Sequence, residues 1–541
     1  MKTINSARRD LLKLSGMGLA AAAATSVPAA YAAQKPSATF PAAAIFDVRT
    51  YGAVGDGKTV DSPAINKAIE AAAAAGGGTV FFPAGTWLTF SIRLKSHVNL
   101  HLSQGATILA ADSPKPGETT GYNGGTYDAA EPNDPWTPYQ DYGHNHWHNS
   151  LIWGEGIDDV SITGPGLIWG KGLSRGTRTG FVAEQPGVGN KAIALKNCRN
   201  VLFRDFSILK GGHFGLLLTG VDNLTIDNLT IDTDRDGMDI DCCWNVRVSN
   251  CFVNSPWDDG ICPKSSYALG YARATQNVTI TNCYVAGCYE LGTFLDGTRK
   301  PFGPEVKIRR NGRIKCGTES NGGFKNITIS NCVFDGCMGL ALESEDGALC
   351  EDIAISNITM RDVINAPLFF RLGARLRGPK DTSKVGTMRR ILVDNVSSYN
   401  TGSRISSILS GIPDYAIQDV KLSNIYIHHQ GGGTAETAKL VLPENVEKYP
   451  DPPMFGADTP SQGFFLRHVN NLEMSHVEIA PAAADARPSF YLEDVNRADF
   501  FAITAPTSPA AFALNKATDL RVAFSRAAKD TQLATANNQA L

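Results

Sequence analysis

Along most of the chain, short bursts of alternating apolar and polar residues recur. The unit is Asn or Asp, an apolar-polar-apolar triplet, a polar residue, then Asn and a second apolar stretch. It reads NVLFRDFSI from Asn200, NLTIDNLTI from Asn223, NVRVSNCFV from Asn245, NVTITNCYV from Asn277, NITISNCVF from Asn326, DIAISNITM from Asp352, DVKLSNIYI from Asp419 and NLEMSHVEI from Asn471. Period-two alternation places successive side chains on opposite faces of a strand, and the Asn and Gly positions break the strands into turns. The closest spacings are 22, 23 and 26 residues, one coil of a solenoid; longer spacings predict loops inserted between coils. The L-x-x-L-x-L spacing of leucine-rich repeats is missing. The expected fold is therefore all-β, a right-handed parallel β-helix with an N-terminal capping helix and long inter-coil loops.

The flanks read differently. Residues 1–33 carry Arg8-Arg9, an apolar run from Leu14 to Ala24 and the small-x-small site Ala30-Tyr31-Ala32, the pattern of a twin-arginine export leader. Export to the periplasm or beyond is expected, with the twin-arginine machinery as the precursor's partner. Residues 34–90 read as an entry segment and cap. Ser62 is placed at the N-cap with Pro63 at the first helical position, and Ala64 to Ala75 form a helix stopped by Gly76-Gly77-Gly78. The β-helix domain is assigned to 91–525, with a last strand at Ala517–Val522, and 526–541 to a mobile tail.

Composition narrows the classes. Hydrophobic residues at 43%, charged residues at 19% and a formal charge of −3 describe a water-soluble protein. No long basic tract points to nucleic acid, and no run after the leader reaches the 18 apolar residues of a membrane span. Eleven cysteines all fall between Cys198 and Cys350. Cys198, Cys251, Cys283 and Cys332 each follow Asn in the repeat, which predicts stacked apolar groups rather than disulfides or a metal site. Two inserts stand out. Residues 121–153 hold Tyr122, Tyr127, Trp136, Tyr139, Tyr142 and Trp147, suited equally to sugar rings and to packing on the solenoid. His144, His146 and His148 alternate there, as hydrogen-bonding residues near a cleft rather than metal ligands. The second insert, His428 to Phe465, reads as a loop or lid.

The chemistry gathers around Asp236, which precedes Asp258 by 22 residues and Asp259 by 23 with one repeat between them. Neighbouring coils bring them to one strand spacing, about 4.8 Å. Asp232, Asp234, Asp236 and Gly237 open like a calcium loop, but the twelfth position is Cys243 instead of Glu, so that reading fails. Crowded carboxyls take different pKa values, which acid-base cleavage of a glycosidic bond requires; a solvated turn is the plainer alternative. Pro256 and Gly260 allow the bend that lets both Asp258 and Asp259 face a cleft. Arg313 and Lys315 fall on one face of a strand, placed to grip the carboxylate of an acidic sugar or to form a basic turn. Arg371, Arg375 and Arg377 extend that surface or pair with Glu343, Glu345 and Asp346.

Together these motifs resemble glycoside hydrolase family 28, the polygalacturonase-like family, whose pattern is Asn-Thr-Asp, Asp-Asp about one coil later, Gly-His-Gly and Arg-Ile-Lys. Arg235-Asp236-Gly237 matches the first at its Asp, Trp257-Asp258-Asp259-Gly260 the second and Arg313-Ile314-Lys315 the fourth. Where Gly-His-Gly belongs, the chain reads Gly287-Cys288-Tyr289-Glu290-Leu291-Gly292. Tyr289, Glu290, His146 and His148 are the candidates for that place. The resemblance implies a pectin-lyase-like solenoid and inverting hydrolysis without cofactor or metal. Asp258 is then the general acid, Asp236 and Asp259 hold the attacking water, and Arg313 and Lys315 bind a uronate. The implied substrate is an acidic polysaccharide or oligosaccharide of the pectin class, polygalacturonan or rhamnogalacturonan; the large inserts, expected to close the ends of the cleft, point to attack from chain ends. A lyase on the same fold and a noncatalytic glycan-binding β-helix are the alternatives.

Overall fold

The computed structural model describes residues 44–176, 184–303, 305, 309–507 and 509–541. The expected export leader lies outside them. In the repeat from Asn223, Leu224 and Ile226 are buried, in register with Val201 and Phe203 of the coil before and Val246 and Val248 of the coil after. Both asparagines of the unit are bends. Asn223 has φ 55°, Asn228 56°, Asn245 58° and Asn250 57°. That left-handed region is one Asn tolerates better than other residues with a side chain. The side-chain amides then bond one another from coil to coil rather than the backbone. Asn223 donates to Asn200 at 2.9 Å, Asn245 to Asn223 at 3.1 Å, Asn277 to Asn245 at 3.0 Å and Asn326 to Asn277 at 2.9 Å.

Each early coil has three short strands. The first face is a six-stranded parallel sheet of β1 (Ile92–Arg93), β2 (Ile152–Glu155), β3 (Lys191–Lys196), β4 (Phe214–Thr219), β5 (Asp236–Asp241) and β6 (Ile261–Lys264). The other faces belong to a 29-stranded sheet, as a parallel β-helix requires. From Phe324–Asp335 onward the second and third faces merge into single long strands, and in the 18 residues of Phe464–Pro481 the first-face stretch joins them. The four longest inserts, 111–151, 170–190, 287–314 and 430–463, all leave the solenoid at the corner between third and first faces. They therefore gather over the starts of the first-face strands.

The ends differ from the expected boundaries. Helix α1 (Ser62–Ala74) forms, with Asp61 rather than Ser62 at its N-cap; Asp61 accepts from the Val54 and Gly55 amides at 2.7 and 3.0 Å, while the Ser62 hydroxyl accepts from the Phe90 amide at 2.7 Å. Ala64, Ile65, Ala68, Ile69 and Ala72 bury the helix in the core. The solenoid already begins at Ile45–Asp47, which pairs in parallel with Thr79–Phe81, so part of 34–90 is coil. The C-terminal segment, expected to be mobile, instead closes the last coil. Thr531–Ala536 and Gln539–Ala540 pair antiparallel with Phe512–Ala523, covering an edge that would otherwise present unpaired backbone groups.

All eleven cysteines are free. Cys251, Cys283 and Cys332 stack as expected: the Tyr284 amide donates to the Cys251 carbonyl and the Val333 amide to that of Cys283, each at 2.9 Å. Cys198 belongs to a different corner, stacked under Val221, because its own Asn197 ends a first-face strand rather than a second-face one.

Candidate active site

A column of glycines runs beside the site. A Cβ at Gly215 would come within 2.5 Å of the Gly237 carbonyl oxygen, one at Gly260 within 2.8 Å of the Gly312 oxygen, and one at Gly237 would collide with Gly260. The coils touch backbone to backbone here. Asp236 and Asp259, the residues just before two of these glycines, are thereby held one coil apart. The bend expected between Pro256 and Gly260 is tied by the Trp257 amide to the Asp234 carbonyl at 2.9 Å and by the Ser255 hydroxyl to the Arg235 and Asp258 carbonyls at 2.5 and 3.0 Å. One oxygen from each of Asp236, Asp258 and Asp259 lies within 4.8 Å of the others.

The three carboxyls live in different fields. Asp258 is half-buried and paired with Arg235 at 2.7 Å. Asp259 is buried between Arg313, whose Nε donates at 3.0 Å, and Lys315. Burial raises its pKa, but Lys315 and then Arg313 outweigh it and bring the value down to about 2. Asp236 is buried with no hydrogen bond or ion pair to any described residue; burial, then Asp258 and Asp239, push its carboxyl well above the usual range. Behind it, Asp239 is fully buried against His144 at 3.1 Å and Lys264 at 3.9 Å. His144 also binds Glu319. Burial pulls the imidazole's pKa down, but Glu319 and Asp239 raise it to about 10, so it stays charged.

A cleft of about 410 Å³ opens over this group. Of the expected residues, Asp236, Asp258 and Lys315 line it. Arg313 does not: it is buried and joins Asp259 to Glu343 at 3.1 Å. Tyr289 bonds Asp335 at 3.3 Å through its hydroxyl and packs on Phe294, away from the cleft. The side chain of Glu290 lies outside the described residues. His146 is buried against Asn133 at 3.0 Å, and burial followed by Lys191 lowers its pKa to about 4. His148 stacks on Trp153 at 3.9 Å and bonds Glu155 at 2.9 Å. Neither histidine takes the missing place in the cleft, because their stretch of the insert packs on the outer face of the first sheet. Trp147 there is buried against Ala194 and Leu217, its Nε1 donating to Thr219 at 3.1 Å.

Two other histidines do line the cleft, His144 and His213. His213 directly precedes Phe214, the register partner of Asp236, so counting one coil back from the acid would have found it. Its Nδ1 meets the Arg175 carbonyl at 2.8 Å, which makes Nδ1 the donor; burial, then Arg235, hold it neutral. No coil register points to His144, which comes from an insert. Tyr142 of the aromatic set, Arg309 and Tyr449 complete the wall, one from each of three inserts. The segment expected as a lid is pinned: Arg371 donates to the carbonyls of Glu444 and Asn445 at 3.0 and 3.2 Å, Arg467 to those of Leu442 and Pro443 at 2.9 and 3.0 Å. Arg375 and Arg377 pair with Asp346 at 2.5 Å and Asp141 at 2.7 Å, so they do not extend a uronate surface. The carboxylate trio is spaced as metal ligands are, but Arg and Lys nitrogens already stand where a cation would bind Asp258 and Asp259.

The sequence profile "Right handed beta helix region" matches residues 191–364, and "Rhamnogalacturonase A/epimerase, pectate lyase-like" matches 45–117. A Vitis vinifera protein named "Probable polygalacturonase" is 23% identical over 404 residues, 70% of this chain and 73% of that protein. The exopolygalacturonase of Thermotoga maritima superposes with a TM-score of 0.55 at 18% identity, covering 71% of this chain and 87% of its own. The family 28 exopolygalacturonase of Yersinia enterocolitica does so with 0.56 at 16%, covering 85% and 78%. These two likenesses speak to the fold. With the matched profile they show a right-handed β-helix, and the order of its acid and Arg-Ile-Lys motifs is similar to that of glycoside hydrolase family 28, without Gly-His-Gly.

Proposed function

We propose that the protein hydrolyses glycosidic bonds in uronic-acid-containing pectic chains, polygalacturonan or rhamnogalacturonan, and removes sugars from their ends after export. The observation that carries this reading is the pair Asp236 and Asp258, open together on one cleft beside Lys315. One carboxyl assists the leaving oxygen and the other activates water. Lys315, Arg235 and Arg309 supply positive charge for a uronate at the wall, while Arg313 and Asp259 hold Lys315 in place. Walls from three inserts at one corner favour action at a chain end.

The family resemblance favours inversion of the anomeric centre. The spacing favours a second reading, retention through a covalent intermediate, because inverting pairs usually stand about 6.5–9.5 Å apart and retaining pairs about 5–5.5 Å. Incubation with homogalacturonan and rhamnogalacturonan oligosaccharides tests both. New reducing ends without ultraviolet absorbance, lost in Asp258→Asn, are expected. Absorbing unsaturated products place the protein among lyases, and binding without turnover among glycan-binding β-helices. The anomer first seen by proton NMR separates inversion from retention. Recovery of a chain trimmed after Ala32 or Ala33 outside the cytoplasm tests export.

A further inference from the structure

Trp244 is the exception on an otherwise polar ladder. It stands where the chain turns from the first face into the second, and the register carries that position from coil to coil through Asp158, Arg199, Asp222, Trp244, Gln276 and Lys325. From Asp158 to Thr518 every other rung is polar. The six named rungs floor an open groove of about 750 Å³, at the ends of the first-face strands opposite the cleft. At one strand spacing per coil the floor is about 24 Å long, a trough shaped for a linear chain.

The wall of this groove is fixed in place. It is the segment 265–274, between β6 and the strand Thr275–Thr281. The Ser265 hydroxyl donates to the Arg273 carbonyl at 2.8 Å, a Cβ at Gly322 would fall 2.1 Å from the Arg273 carbonyl carbon, and Trp136 closes over Gly270. From the wall, Arg273 pairs with Asp222 at 2.6 Å and sets its guanidinium 4.4 Å from the centre of the Trp244 ring. The Ala274 carbonyl accepts from the indole Nε1 at 2.9 Å. Trp244 is thereby held still, yet 38% of it stays exposed, and Tyr271 of the wall is 53% exposed.

The polar groups fall into two sets. Arg199 and Arg273 are matched to Asp158 and Asp222, at 2.8 and 2.6 Å. Beyond the indole, the side chains of Gln276 and Lys325 make no hydrogen bond or ion pair with any described residue. Among the described residues, the unpaired charge on this floor is therefore one cation, beside a free amide and two open rings.

We propose that the groove is a second sugar-binding site, which holds a length of polysaccharide away from the cleft with a pyranose ring on Trp244 and Tyr271 and a uronate carboxylate on Lys325. A sugar presents apolar C–H faces rimmed by hydroxyls that both donate and accept, and fixed aromatics among amide, carboxylate and guanidinium groups meet both parts. Asp158 and Asp222 oppose the closely spaced phosphates of a nucleic acid, and a floor this charged lacks the apolar centre of a protein interface. The same aspartates disfavour a carboxylate on every sugar, so rhamnogalacturonan, with one on every second sugar, suits the floor better than polygalacturonan. That the chain is pectic rests on the hydrolase reading above; the fit to a sugar chain does not.

Affinity electrophoresis of the whole protein through gels containing rhamnogalacturonan tests this without turnover. Trp244→Ala and Tyr271→Ala should each weaken retardation about fivefold or more. Tyr271 has no side-chain hydrogen bond to a described residue, so its variant keeps the fold; unchanged retardation in it overturns the site. Wild-type retardation that vanishes in high salt also overturns it, because ring packing is not screened. A dimer seen by sedimentation and lost in Trp244→Ala would give the groove to a second copy instead. Release of reducing ends from a short oligosaccharide, unable to span the roughly 20 Å between groove and cleft, should be unchanged in both variants. On the polymer KM should rise about tenfold. Equal losses on both substrates make Trp244 and Tyr271 supports of the cleft and overturn the proposal. Should no uronide be cut while retardation still follows these two residues, the hydrolase reading falls and the sugar site stands.

Discussion

The asparagine bends and the cleft corner belong to the same coils, yet they are built in opposite ways. At the bends from Asn200 to Asn326 each coil repeats one solution: a left-handed Asn, an amide bonded to the amide below, and a triplet with its outer residues inside. At the cleft corner nothing repeats. Among the described residues Asp236 has no ion pair, Asp258 has one cation and Asp259 two, and His144 behind them arrives from a remote insert. Repetition yields stability from modest local terms; the unrepeated corner concentrates charge that only exact partners compensate.

The contrast can be broken from the cleft side first. Asp236→Asn and Asp258→Asn should each lower kcat/KM by about 10²–10⁴-fold with little change in thermal midpoint, read by reducing-end assay and calorimetry. Arg313→Met strands Glu343 and leaves Asp259 with Lys315 alone, and should cost about 3–5 kcal/mol in chemical denaturation. The corner should also be sensitive to pH at both ends. His144, raised from 6.5 to about 10, contributes stability that is complete below pH 6.5 and lost as pH climbs toward 10. Asp259, lowered from 3.8 to about 2, contributes stability present above pH 3.8 and lost as pH falls toward 2. Unfolding free energies from urea titrations at pH 7 and 9.5 should differ by about 3 kcal/mol, and His144→Gln should flatten the alkaline fall. Gly237→Ala forces two coils apart and should cost about 1–3 kcal/mol with a loss of turnover. Asn245→Ala, at a bend, should cost only about 1–2 kcal/mol and leave turnover and its pH profile untouched.

The same contrast explains what could be read from the chain beforehand. The coils were legible because Leu224 and Ile226, Val246 and Val248, and their successors restate one pattern. The convergence of Asp236, Asp258 and Asp259 was legible because one coil separates them. The cations were half legible: Arg313 and Lys315 share a face as expected, but serve Asp259 before any sugar. His144 was visible as one of three alternating histidines, yet nothing local distinguishes it from His146 and His148. Its bond to Glu319 spans 175 positions, a contact that only the path of the insert decides. The C-terminal strands escaped notice for a related reason: residues 531–536 alternate weakly, and pairing is imposed by the open edge they cover.

Because the coils touch through Gly215, Gly237, Gly260 and Gly312, the interval between the acids is a property of the backbone ladder and not of side-chain packing. A substitution can change which group stands at a given mark, but only gain or loss of a residue can shift the mark. Lineages bearing such a site should therefore vary in steps along a fixed ruler, while the inserts, free to lengthen at the same corner, reshape what enters without moving a reacting oxygen.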